Sequence, residues 1–302
     1  MRRLDKNFKN FFRGFGYPRF KGKERYNSIT YSQSGFGLED GKLKLSKIGK
    51  LKIILHREIE GKIKTCTIKK DTDQWYAVFA VEVQKTIEPV EIKNVVGIDV
   101  GLTSLITLSN GEQIAPPKYL RKSEKRLAKE QVRLSRKKKG SENRKKQRNK
   151  VARVHRKIRN QRKDFAHKTS RMLVNRFDLI AFENLNIKGM VRNHHLAKSI
   201  ADAGWYQLQS FTAYKAEDAG KRVDFCIANG TSQECNVCGN VEHLTLADRV
   251  FHCYRCGNTE DRDVNASKNI RNRSTVGTTG RACQGCLDRE PMQQEAPSFR
   301  AG

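Results

Sequence analysis

The feature that most limits how this chain can fold is a pair of matched cysteine turns. Cys235-x-x-Cys238-Gly239 and Cys253-x-x-Cys256-Gly257 are separated by fourteen residues. Four thiolates at that spacing suit one tetrahedral zinc ion. A glycine directly after each pair fits a tight turn that aims backbone N–H groups at sulfur, because φ > 0 carries no Cβ penalty at glycine. The competing readings are a disulfide pair, a redox Cys-x-x-Cys or four unrelated core thiols. Two matching turns in a chain with no sign of secretion favour zinc. His243 and His252 stand close enough in sequence to replace a thiolate, but four cysteines already complete the coordination.

Charge narrows the partners. Lys and Arg number 61 against 32 Asp and Glu, a net charge of +29 over 302 residues. So large an excess repels itself in a compact state and calls for a polyanion, nucleic acid before an anionic membrane. No apolar run reaches the roughly 18–20 residues that span a bilayer, and the first residues carry no signal-peptide apolar region. The expected setting is therefore cytoplasmic and nucleoid-associated, with reduced thiols and no membrane partner.

The charge is concentrated. Between Lys118 and Arg171 there are 24 Lys and Arg against Glu124, Glu130, Glu142 and Asp164. Leu120, Leu127 and Leu134, then Val151, Val154, Ile158, Phe165 and Met172, recur as the narrow seams of two helices broken near Gly140-Ser141. A solvated face normally mixes signs; a face of one sign is expected to hold phosphates, which supplies affinity rather than sequence choice. Residues 1–24 interleave Phe8, Phe11, Phe12, Phe15, Tyr17 and Phe20 with Lys and Arg. That mixture fits base stacking, or equally a short amphipathic helix with its aromatics turned to a core.

Elsewhere the pattern alternates between strands and helices. Residues 28–83 hold several short strands, the clearest at Trp75–Val83, and predict a small antiparallel barrel or sheet. Cys66 there reads as a lone buried thiol, as does Cys226 further on. A composition shift at 87–90 marks a boundary. Beyond it come an apolar strand ending in Asp99, a partner at 104–109 turning at Asn110-Gly111, the basic helices, a strand at 177–182 followed by Glu183, a helix from Trp205 and a strand at 221–228. Next come the cysteine turns and a last helix starting near Asp261. The domains expected are 1–90, a partial barrel; 91–230, carrying the helical insertion 118–176; 231–260, the zinc module; 261–273, the last helix; and 274–302, a disordered tail. Cys283 and Cys286 in that tail form a lone Cys-x-x-Cys.

Asp99, Glu183 and Asp263 stand at comparable strand ends and a helix start, and the element order is that of an α/β, RNase H-like (RuvC) nuclease domain with helical and zinc-ribbon insertions. Alone, an aspartate at a strand end is more often a turn former. Three carboxylates drawn together repel, so they call for cations. Two divalent ions about 4 Å apart neutralise such a cluster, activate a water and stabilise the leaving oxygen in phosphodiester cleavage. Oxygen ligands suit Mg²⁺ or Mn²⁺, leaving zinc to the thiolates.

In chain order, Gly97-Ile-Asp-Val-Gly-Leu102, Ala181-Phe-Glu-Asn-Leu185, Thr231-Ser-Gln233, the two Cys-x-x-Cys-Gly turns and Asp261-Arg-Asp-Val-Asn-Ala-Ser267 closely resemble the TnpB (OrfB) family of insertion-sequence proteins. This family is similar to the nuclease half of type V CRISPR effectors. The resemblance runs from about Phe8 to Ile270. It implies a RuvC-like nuclease that cuts DNA under the direction of a guide RNA from the transposon end. Asp99, Glu183 and Asp263 match its catalytic, magnesium-binding carboxylates, with Asp261 as the alternative third acid. Cys235, Cys238, Cys253 and Cys256 match its zinc ligands. The family pattern implies more chain before Leu4–Phe12, holding the opening strands of a wedge-like barrel and a helical recognition region, so on this reading the chain is N-terminally truncated. The rival function is a truncated DNA- and RNA-binding regulator of its element that does not cut. A recombinase lacks support, because no Tyr or Ser nucleophile motif is present.

Overall fold

The computed structural model describes residues 2–276 apart from 21, 23, 24, 33, 40, 228 and 246. Cys283 and Cys286, and the tail expectation beyond Val276, lie outside the described residues. The chain divides into two compact units, residues 1–86 and 87–302.

The first unit opens with α1 (Arg2–Phe12) and continues with β1 (Ser28–Ser32), β2 (Phe36–Glu39), β3 (Lys42–Leu45), β4 (Gly49–Lys52), β5 (Lys62–Asp71) and β6 (Gln74–Glu82). These strands form two separate three-stranded antiparallel sheets, β1-β5-β6 and β2-β3-β4, rather than one continuous sheet. Leu43, Leu45 and Cys66 pack between them with Tyr31, Phe36 and Phe79. The Cys66 thiol is fully buried and its pKa is raised by that burial. Near α1, Phe11 and Tyr17 meet edge to face, whereas Phe12 and Phe20 are 80% and 95% exposed. The alternative in which these aromatics all face a core is thus excluded for Phe12 and Phe20.

The second unit is built on a five-stranded sheet. Its elements are β7 (Val95–Val100), β8 (Ile106–Leu108), β9 (Gln113–Ile114), α2 (Tyr119–Ser135), α3 (Glu142–Arg176), β10 (Leu179–Glu183), α4 (Ile187–Met190), α5 (His194–Ala203), α6 (Trp205–Asp218), β11 (Arg222–Cys226), β12 (Val250–His252), β13 (Thr259–Asp261) and α7 (Arg262–Val276). The strand order is β11-β10-β7-β8-β9, with β11, β10 and β7 parallel and β7, β8 and β9 antiparallel. Alternation along the strands decides the layers. Val96, Ile98, Val100, Ile180 and Phe182 face α3, α5 and α6, meeting Leu173, Ile200, Trp205 and Leu208. Leu179, Ala181 and Cys226 face the other way, onto Ile270 of α7.

Gly97 is what lets α7 lie so close. A Cβ there would stand 2.0 Å from the Ser267 carbonyl oxygen and 2.4 Å from the Arg271 nitrogen, backbone atoms that cannot swing aside. Helix α7 begins where the sequence expects it but runs three residues past its expected end, through Ser274–Val276, which the sequence reading gives to a tail.

The basic hairpin is α2 and α3. Gly140 takes φ +84° at the break, and Ser141 caps α3 by accepting a hydrogen bond from the Arg144 N–H at 3.2 Å. Leu127, Val154 and Ile158 form the seam. The α2 N-terminus has no side-chain cap of its own. Asp202 of α5 serves instead, accepting from the Leu120 N–H at 3.1 Å while pairing with Arg162 at 2.7 Å. Each acid of the hairpin is engaged by a basic neighbour, Glu130 by Arg133, Glu142 by Lys145, Asp164 by Lys168 and Glu124 by Lys198. The face therefore keeps its positive sign.

Candidate metal and carboxylate sites

The two cysteine turns fold alike. In each, the first cysteine's N–H reaches an asparagine carbonyl (Cys235 to Asn240, Cys253 to Asn258, both 2.8 Å), and the glycine N–H returns to that cysteine's carbonyl at 2.9 Å. Gly239 and Gly257 take φ of +73° and +75°, the backbone state that requires glycine there. The four sulfurs all lie within 4.8 Å of one another. Cys235 and Cys256 are 3.7 Å apart, Cys238 and Cys253 3.5 Å. A tetrahedron of sulfurs about 2.3 Å from a central zinc has edges of about 3.8 Å, so the cage fits that ion. His243 and His252 are not among these ligands; the His252 ring nitrogen Nδ1 instead sits 2.6 Å from the Thr259 hydroxyl. Burial pushes the Cys253 thiol up, but the N–H groups of Cys256 and Arg255 and the neighbouring thiols outweigh it and bring it to about 7. The Asn258 N–H pulls the Cys256 thiol down, but burial and the neighbouring sulfurs together outweigh it and push it up to about 12. Four thiols this close do not all ionise without a cation among them.

The carboxylates come together on the α7 side of the sheet. Asp99 shares the face of β7 that Val95 and Gly97 present to α7, and Glu183 shares the face of β10 with Leu179 and Ala181. The parallel register Phe182↔Ile98 puts both acids one step beyond the last matched pair, on strands about 4.8 Å apart. Gly97 then allows the start of α7 to bring Asp263 to the same end. The Asp99 carboxyl is pushed up to about 7, first by burial, then by the charges of Glu183 and Asp263, with Arg262 and the Val100 N–H pulling down. Burial also raises Glu183, against the Thr231 hydroxyl and Arg273. The three acids are not drawn within the 4.8 Å spacing of the cysteine set.

Asp261 does something else. Its Oδ1 accepts the N–H groups of Asp263 at 2.9 Å and Val264 at 3.1 Å, capping α7. The side chain that reaches Asp99 electrostatically is Asp263, which also lies 3.8 Å from the Arg262 guanidinium. Sequence reasoning gave Thr231 no individual role, yet its hydroxyl donates to Glu183 Oε1 at 3.0 Å. Nothing in the local pattern marks that contact, which joins residues far apart in the chain. Asp202 was missed for the same reason.

Known proteins resemble this chain along most of its length. The OrfB_IS605 family model, described as "Probable transposase", matches residues 78–194, and the Cas12f1-like TNB domain matches residues 205–270. A Streptomyces pristinaespiralis protein named "Putative RNA-guided DNA endonuclease" is 39% identical over 98% of this chain and 74% of its own length. InsQ of Escherichia coli (strain K12), similarly named, is 31% identical over 88% of this chain and 71% of its own. A solved Cas12f1 in complex with sgRNA and target DNA shares the fold with a TM-score of 0.52 at 18% identity, covering 70% of this chain and 46% of that one.

Proposed function

The chain belongs to the OrfB (TnpB) family of transposon-associated proteins, and from that premise we propose that it is an RNA-guided DNA endonuclease with a RuvC-type carboxylate site. The observation that carries this reading is geometric: the parallel register of β7 and β10 sets Asp99 and Glu183 side by side, one step beyond Phe182↔Ile98, and the charges of Glu183 and Asp263 both bear on the Asp99 carboxyl. Acids from two strands and a helix thus feel one another across long stretches of chain. Such a cluster is costly without cations and suited to them with cations. On this reading the five-stranded sheet is the RNase H-like core, α2 and α3 are its helical insertion, the cysteine hairpin is a zinc ribbon, and the two sheets of the first unit belong to a wedge-like barrel.

Asp99, Glu183 and Asp263 would hold Mg²⁺ or Mn²⁺, hard ions that favour carboxylate oxygen. The chemistry such ions supply is activation of water for in-line attack on a phosphodiester and neutralisation of charge on the departing oxygen. The protein's part is placement. Strands β7 and β10 fix two acids by their parallel register, and α7 carries the third against Gly97. Helices α2 and α3 offer phosphate-binding cations to DNA and to a guide RNA, which we expect to derive from the transposon end. Cys235, Cys238, Cys253 and Cys256 would hold structural zinc.

The test is cleavage. Protein incubated with its transposon-end RNA, matching DNA and Mg²⁺ should cut, and Asp99→Ala should abolish the cut while leaving nucleic-acid binding intact. Binding without cutting in both proteins would refute the nuclease reading and leave the regulator.

A further inference from the structure

The segment between β11 and the first cysteine turn is tied down on one side by a single face of α7. Asn265, Asn269, Asn272 and Arg273 stand at helical spacing on that face. The Asn265 side-chain amide donates to the Glu234 carbonyl at 2.8 Å. Asn269 donates to the same carbonyl at 2.6 Å and to the Thr231 carbonyl at 2.9 Å. Arg273 donates to the carbonyls of Ile227 and Asn229, each at 2.9 Å, and pairs with the Glu234 carboxylate at 2.7 Å. Asn265 Oδ1 also accepts the Asn236 N–H at 3.0 Å, inside the first cysteine turn. Asn265 and Asn269 are almost fully buried, so these bonds exchange little with water.

What the fastened segment delivers is one hydroxyl. Thr231, 3% exposed, donates to Glu183 Oε1 at 3.0 Å. A glutamate on a strand end has freedom about three side-chain torsions, and a buried charge-assisted hydrogen bond removes most of it. Thr231 lies four residues before Cys235, and Glu234 is the ligand's immediate neighbour. Helix α7, which supplies Asp263 at its start, therefore clasps the strap that aims Glu183. The four-cysteine module anchors the strap's far end.

We propose that Thr231 is a positioning residue for Glu183, held in register by Asn265, Asn269 and Arg273 and by the first cysteine turn, so that order in the cysteine module is transmitted to the carboxylate site. This inference rests on the nuclease reading above and names a residue that reading does not use. The partner of the hydroxyl is an acid proposed to ligate a divalent ion, and loss of an outer partner of that kind weakens metal binding about tenfold or more.

The experiment is Mn²⁺ binding followed by electron paramagnetic resonance, with zinc content measured on the same samples. Asp99→Ala identifies the portion of binding that belongs to the carboxylate site. Thr231→Val keeps the shape and removes the donor, and should weaken that portion roughly tenfold with zinc content unchanged. Thr231→Ser keeps the hydroxyl and should restore binding to within about threefold of the unsubstituted protein, a margin set by the methyl lost from a buried site. Equal Mn²⁺ affinity in Thr231→Val and the unsubstituted protein would overturn the inference alone. So would equal damage in the Ser and Val variants, which would mark packing rather than the hydroxyl. If the unsubstituted protein shows no Asp99-dependent Mn²⁺ binding, the nuclease reading falls and takes the inference with it.

Discussion

Replacing Asp99 by Asn should stabilise the metal-free protein, and by an amount that grows with pH. The Asp99 carboxyl moves from an ordinary 3.8 to about 7 in the fold, through burial and the charges of Glu183 and Asp263. A group whose pKa is raised by folding favours the native state below its unfolded value, and that advantage is lost as pH rises through the folded value. Asparagine keeps the shape and removes the charge, so the gain from Asp99→Asn equals the ionisation cost that remains in the unsubstituted chain. That cost is about 2 kcal/mol at about pH 5 and approaches about 4 kcal/mol at about pH 8.5, where the native group is ionised. Urea denaturation at the two pH values measures it, in metal-depleted buffer rather than with a strong chelator that would strip the cysteine site. The chain has two tryptophans. Trp205 is 3% exposed and its indole N–H donates to the Gly101 carbonyl, whereas Trp75 is 63% exposed. In a Trp75→Phe background, Trp205 alone then reports the unit that contains the acids. Added Mg²⁺ should shrink the difference, because cations stabilise the ionised cluster of the unsubstituted protein. A stabilisation that does not increase between the two pH values would refute the idea that Asp99 is held at a charge-crowded site.

Other outcomes follow from the same structure. Gly97→Ala drives a methyl into the backbone of α7 at Ser267 and Arg271 and should cost at least about 3 kcal/mol, read from the Trp205 urea midpoint; an unchanged midpoint would mean that α7 shifts freely. Asp202→Ala leaves the half-buried Arg162 without its partner and the start of α2 uncapped. It should destabilise by about 2–3 kcal/mol and speed amide hydrogen exchange across 119–135, and unaltered exchange there would discount Asp202 as the anchor. Cys238→Ser should reduce zinc content by mass spectrometry from about one per chain towards none and expose 231–260 to proteolysis, and retained zinc would point to a different ligand set. Nucleic-acid affinity should fall steeply with added salt, because phosphate neutralisation releases counterions; a flat response would count against α2 and α3 as the docking face.

Much of the fold was legible because its signals are local. Strands β6, β7 and β10 and helices α2, α3 and α6 follow from runs of apolar residues and their periods, and the α2–α3 break follows from Gly140-Ser141. Helices α4 and α5 were missed, although Asn186 and Asn193 cap them by accepting from the Gly189 and His195 N–H groups. An asparagine before a short polar helix is a weak signal, since the same residue is equally at home in a turn. The choice between Asp261 and Asp263 could not be read from Asp-Arg-Asp. It depends on which carboxylate turns back to cap α7 and which faces Asp99.

By itself the sequence determined the cysteine cage and the basic hairpin. Each is built from short-range geometry: glycines that accept positive φ beside paired thiols, and leucines at helical spacing among charges of one sign. Only the tertiary structure decided that Asp99, Glu183 and Asp263 influence one another and that Thr231 reaches Glu183. Those relations depend on strand register, on the α7 approach that Gly97 permits, and on where a strap is fastened. Such quantities are set by packing between distant segments, and spacing along the chain does not encode them.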